Sequence, residues 1–137
     1  MSLFQDKQVI QTTLEATVNL GIVWDWSSDR PTNQNPNVGR VDLVRVDNTP
    51  GAKTLTWSAM IGLWRETWED LTLAQYGALE AILVRFDPMI PVCSNGGALG
   101  VSSFQVGLPN KSAQRSGISD FTGLWSVMAI DVTLQRR

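Results

Sequence analysis

The segment VIQTTLEATVNLGIVW, residues 9–24, constrains the fold more than any other part of the chain. Ile10, Thr12, Leu14, Ala16, Val18, Leu20, Ile22 and Trp24 share one parity, while Gln11, Thr13, Glu15, Thr17 and Asn19 share the other. A period of two is the pattern of a strand with one apolar and one wet face. The segment therefore predicts a long N-terminal strand over residues 9–24, unbroken over residues 9–20, with Gly21 as its candidate bend. At about 3.4 Å per residue it would run roughly 50 Å, far beyond the five or six residues of an ordinary strand. Such a strand overruns a small domain, and its bare edge needs another chain to cover it. With 137 residues the chain is expected to form a single domain, 1–137, large enough for a real core.

The stretch WDWSSDRPTNQNPN ends this segment and predicts a polar loop over 27–37. VGRVDLVRVDN (38–48) and TLTWSAMIGLW alternate again around a Pro-Gly reversal in NTPGAK, with Trp57 on the core parity. LTLAQYGALEAILVRF predicts one helix over about 72–86. Thr72 and Gln75 have capping-box spacing, with Leu71 and Tyr76 as a hydrophobic staple. Tyr76, Leu79, Ile82, Leu83 and Phe86 give an apolar stripe to lay on the sheet, and Asp87-Pro88 stops the helix. MIPVCSNGGALGVSSFQVG reads as strand, glycine turn and strand, and residues 107–120 as a second polar loop. A last strand places Leu124, Met128, Ile130, Val132 and Leu134 on one face. The order β-β-β-α-β-β-β predicts an α+β, mainly β fold: an antiparallel sandwich or barrel with one packed helix.

The chemistry available is narrow. The chain has no histidine, so no imidazole base and no Cys-His zinc site is expected. Cys93, the single cysteine, reads as a small buried hydrophobe, and SNGGALGVSS as a hairpin turn without a phosphate-binding lysine. Glu66, Glu69 and Asp70 could form an acid–base pair, but their place ahead of a helix gives them a structural reason to exist. Asp42 and Asp47 share a strand with Arg40 and Arg45, which predicts solvated cross-strand pairing. We therefore expect no enzyme, no cofactor and no metal. A net charge of −2 argues against nucleic-acid binding. No apolar run approaches the roughly 18 residues of a membrane span. MSLFQDKQVIQ lacks the basic and apolar regions of a secretory signal. Trp64 and Trp68 read as closing one end of the core. Trp24, Trp26 and Trp125 would suit a subunit interface or, in a carbohydrate-binding module, stacking on sugar rings.

From TLTWSAMIGLW through the acidic-aromatic link, LTLAQYGALEAIL, the SSFQVG strand and the closing strand, residues 54–134 resemble the small tail proteins of long-tailed bacteriophages. That group comprises tail-tube, distal-tail and tail-tip components and is related to the tubes of type VI secretion. The resemblance implies a β-sandwich or barrel flanked by a helix, long strands that join subunits into rings, and no catalytic residues. GLWSVMAIDVTLQ is also similar to the last strand of tail-terminator proteins, which cap the tube near the head. Those usually begin with an amphipathic helix, whereas here the opening reads as a strand. A capsid-decorating protein is a further viral expectation. The chain is thus expected to be a virion structural protein, a tail-tube-like or tail-tip ring component made in the host cytoplasm. Its partners would be copies of itself and neighbouring tail or neck proteins, with neither a membrane nor sequence-specific nucleic acid. The candidate interface takes Gln11, Thr13, Glu15, Thr17 and Asn19 from the wet face, Trp24 and Trp26 from the strand face near the polar tip, Arg30 from the first loop, and Lys111 and Arg115 from the second. Both loops are expected to order on assembly.

Overall fold

The opening segment is a helix. The computed structural model describes residues 2–28, 30–86, 98–111 and 123–136. Their elements run α1 (Leu3–Val18), β1 (Val23–Trp24), β2 (Asn37–Thr49), β3 (Ala52–Arg65), α2 (Trp68–Phe86), β4 (Ala98–Val106), β5 (Asn110–Lys111) and β6 (Leu124–Arg136). The strand expected over 9–24 is therefore replaced by α1, a left-handed turn and the two-residue β1.

The reason lies in the spacing of the large apolar groups. Asp6, Ile10 and Leu14 are buried and Val18 is partly buried, while Thr12 and Ala16 are exposed. The buried positions recur every fourth residue, a helical repeat that also falls on one parity. Ser2 caps the start: its side chain accepts from the Gln5 amide, and the Gln5 side chain accepts from the Ser2 amide, each near 3 Å. Asn19 ends the helix in the left-handed region, φ 52°, with its N–H on the Glu15 carbonyl. Burying Ile10 and Leu14 stabilises the docked helix by about 1.5–3 kcal/mol each.

The described strands form one open sheet of order β1-β2-β3-β6-β4, with β5 also paired to β6. All ladders are antiparallel except β1–β2, where Val23 and Trp24 lie parallel to Val38 and Gly39. The fold is α+β and mainly β, but it is neither a sandwich nor a closed barrel: α1 and α2 pack on one face of the sheet. The core lies between them. Val41, Leu55, Trp57, Ala59, Ile61 and Leu63 meet Met128, Ile130, Val132 and Leu134 from the sheet and Leu71, Ala78 and Ile82 from α2. Trp57 is core, as its parity required.

The long β2–β3 hairpin turns at Gly51, whose φ of 83° suits glycine. Its register carries a bulge between Leu43 and Arg45, with Val44 as the extra residue. β4 bulges between Val101 and Ser103. Trp57 pairs with Leu43 on one side and Val132 on the other, and Val132 pairs with Val101. Both bulges thus interrupt the same row of the sheet.

The second helix also departs from expectation. It starts at Trp68, and its cap is Thr67, whose hydroxyl accepts from the Asp70 amide at 3.2 Å. Thr72 and Gln75 sit within the helix and form no capping box. The buried stripe is Leu71, Gln75, Ala78 and Ile82 with Leu79 beside it; Tyr76 and Leu83 face outward. Trp68 is exposed and closes nothing. The expected strand over 89–93, Cys93 and the glycine turn lie outside the described residues, as do Asp87 and Pro88. So does most of the second loop, of which residues 110–111 form β5.

Candidate assembly surfaces

The polar residues of α1 make contacts within the chain. Gln11 Nε2 donates to Asp25 Oδ1 at 3.2 Å, and Lys7 Nζ pairs with the same oxygen at 2.5 Å. Glu15 Oε1 accepts from the Ile22 amide at 2.7 Å, and Thr17 Oγ1 donates to the Thr13 carbonyl at 2.7 Å. Asn19 is the cap. These residues therefore form no single wet face: at about 100° per residue, Gln11 and Glu15 lie on one side of the helix and Thr13 and Thr17 on another. Lys7, Gln11 and Glu15 pin the helix to the chain that follows it, while the Thr17 and Asn19 bonds stay within the helix. The Lys7 hydrogen bond holds the Asp25 carboxyl below its ordinary pKa, slightly opposed by desolvation.

The three indoles proposed for an interface or a sugar site are each engaged within the fold. Trp24 lies over Gly39, where a Cβ would stand 2.7 Å from its ring. Trp26 Nε1 donates to the Arg30 carbonyl at 2.9 Å, and the Arg30 guanidinium sits 5.2 Å from the centre of the Trp125 ring. Pro31 is buried against Gly62, and the Pro36 carbonyl accepts from the Trp64 amide at 2.8 Å. The first loop is thus folded onto the sheet face opposite the helices, held by bonds such as Thr32 N–H to Asn35 O at 3.1 Å. Beside Trp26 a slot of about 20 Å³, room for one water, opens against Arg40 and Met60. Lys111 is exposed on β5, and Arg115 lies outside the described residues.

Arg65 fixes the other end of this loop. Its Nη1 donates to the carbonyls of Trp64 at 2.6 Å and Pro36 at 3.4 Å. Burial lowers its pKa from the ordinary guanidinium value, with Asp70 acting in the opposite sense.

The surfaces left open lie elsewhere. Beyond Gly39 the outer edge of β2 pairs with no described strand. Arg40 pairs with Asp42 and Arg45 with Asp47, each at 3.1 Å, along one strand instead of across two. The bulge at Val44 keeps both pairs on the sheet face away from the helices, and such charges blunt a bare edge. Val44 and Val46 are each more than half exposed. On α2, Leu73, Tyr76, Leu83 and Val84 form a second exposed apolar stripe beside a groove that reaches Thr17 of α1. The sequence carried that signal: LTLAQYGALEAILV is apolar on more of its circumference than one buried stripe needs.

Among the described residues no three His, Cys, Asp or Glu side chains gather closely enough to hold a metal. Glu66, Glu69 and Asp70 are exposed around the α2 N-terminus, where negative charge favours the helix. No helix among the described residues is long and apolar enough to cross a membrane. No protein-family model matches the chain, and no curated protein matches it.

Proposed function

We propose that this protein is a structural ring component of a bacteriophage tail, of the tail-terminator kind. The observation that carries this reading is α1. Terminator-like proteins carry an amphipathic helix ahead of their strands, and α1 is such a helix, packed beside α2 against a sheet containing the GLWSVMAIDVTLQ strand. The tube-type reading leaned on a long first strand, and α1 removes that support. The work of such a protein is assembly: its surface must recognise further copies and the neighbouring tail or neck proteins. The exposed stripe on α2 and the bare distal edge of β2 supply surface of the required kind.

Sedimentation velocity and negative-stain microscopy of the purified protein test this, alone and after mixing with tail tubes that lack a cap. Rings, free or seated at one end of the tubes, are the expected result. A monomer at all concentrations that leaves the tubes unbound counts against the reading, and binding to a polysaccharide instead would favour the carbohydrate-binding alternative.

A further inference from the structure

We propose that the outer face of α2 in one copy seats on the distal β2–β3 hairpin of the next, so that each chain carries both halves of the ring contact. This rests on the ring reading above and names the surfaces it would use. α2 buries Leu71, Gln75, Ala78 and Ile82. On the opposite side, within about 100° of arc, stand Leu73, Tyr76, Leu83 and Val84, exposed by 67%, 62%, 50% and 77%. At about 100 Å² of bare surface each they present roughly 400 Å², within the range in which an apolar patch on a small protein marks an interaction site. Gly77 flanks the stripe, and a Cβ there would meet nothing within 4 Å, so the surface is indented at that point.

The hairpin offers the complement. Val41 is buried under the helices and Leu43 partly so, but Val44 and Val46, on the outer edge strand of the sheet, are exposed. Val46 pairs with Leu55 and Asn48 with Lys53, which puts Val46 and Lys53 on the helix side of the hairpin. Lys53 is exposed and makes no ion pair among the described residues.

Charge selects between the two ways of pairing copies. The α2 stripe carries Glu69 and Glu80, neither with an ion pair among the described residues. The helix has one cation, Arg85, roughly 140° around the axis from Glu80. A two-fold contact of α2 with α2 would set carboxylates against carboxylates. The hairpin sets Lys53 and Val46 against them. That contact joins two different surfaces of the chain, the heterologous kind that builds rings.

Charge reversal in the intact protein tests this, with assembly followed by sedimentation velocity and folding by circular dichroism. Lys53→Glu and Glu80→Lys should each weaken assembly by about tenfold or more, and the double variant should recover most of the loss. Leu73→Lys, an exposed substitution, should abolish it. If the unaltered protein forms rings and all these variants form them equally well, the contact is wrong and the ring reading stands. A dimer lost in Leu73→Lys but indifferent to Lys53→Glu would also overturn the contact, in favour of helix against helix. If the unaltered protein never assembles, alone or on capless tubes, the ring reading falls and the contact with it.

Discussion

Gln75 lies buried beneath α2, with Nε2 3.3 Å from the Gly107 carbonyl and 3.2 Å from the Ser126 hydroxyl. Its sequence spacing from Thr72 suggested a cap, because a glutamine three residues after a threonine looks the same whether it turns back on its own helix or down into the core. Only the sheet beneath decides, and Ser126, on the core parity of β6, supplies the partner. Gln75→Leu would leave the Ser126 hydroxyl and the Gly107 carbonyl without this donor. It should cost about 1–3 kcal/mol in urea unfolding, with Ser126→Ala in the same background adding less than it does alone. Asp25 is a milder case. Its pKa is lowered in the folded state, so its contribution is present above the unfolded value and lost as pH falls through the folded one. Lys7 and Asp25 are partly solvated, which limits the effect to about 1 kcal/mol or less. Thermal melts from pH 7 downward should show Asp25→Asn less stable than the parent at neutral pH, with the gap closing below about pH 4.

At the scale of elements, the two helices show opposite failures of pattern reading. α1 was misread because its bulky groups, Ile10, Leu14 and Val18, are four apart and therefore also of one parity. Ala16 and Thr12 completed a strand-like alternation while contributing nothing to the core. The ends held the better signal: Ser2-Leu-Phe-Gln5 is capping-box spacing, and Asn19-Leu-Gly21 is a helix stop. α2 was legible in kind, and its start was misplaced by one turn because two threonines, Thr67 and Thr72, both stand ahead of apolar positions. The caps can be told apart by measurement. Thr67→Ala should lower stability by about 1 kcal/mol, whereas Thr72→Ala should stay within about 0.5 kcal/mol of the parent. Of the candidate interface, the sequence marked the first loop and its tryptophans, which make contacts within the fold. The α2 stripe was hidden because Tyr76 and Leu83 were spent on the core in the reading of a helix with a single apolar side.

For the whole molecule, the strands β2, β3 and β6 and their faces were legible, since alternation against water is a direct imprint of one-sided burial. Sandwich or barrel did not follow, because a second helix covers the face that a second sheet would have covered. Protection should follow the same layering. Hydrogen exchange is expected to be slowest at residues 57–63 and 128–132, where β3 and β6 are paired on both sides, and early at residues 44–49 on the unpaired margin of β2. Uniform protection along β2 in a dilute monomer would mean that its margin is already covered.

The surplus residues in β2 and β4 have a geometric consequence. Both fall in one transverse line, on the two long strands that flank the β3–β6 pair. A ribbon with longer borders than midline cannot lie flat; it saddles and coils. If the hairpin of one copy seats on α2 of the next, this coiling enters the angle between them, which is the same at every step. Equal turns rule out a straight stack, so growth either closes on itself or winds.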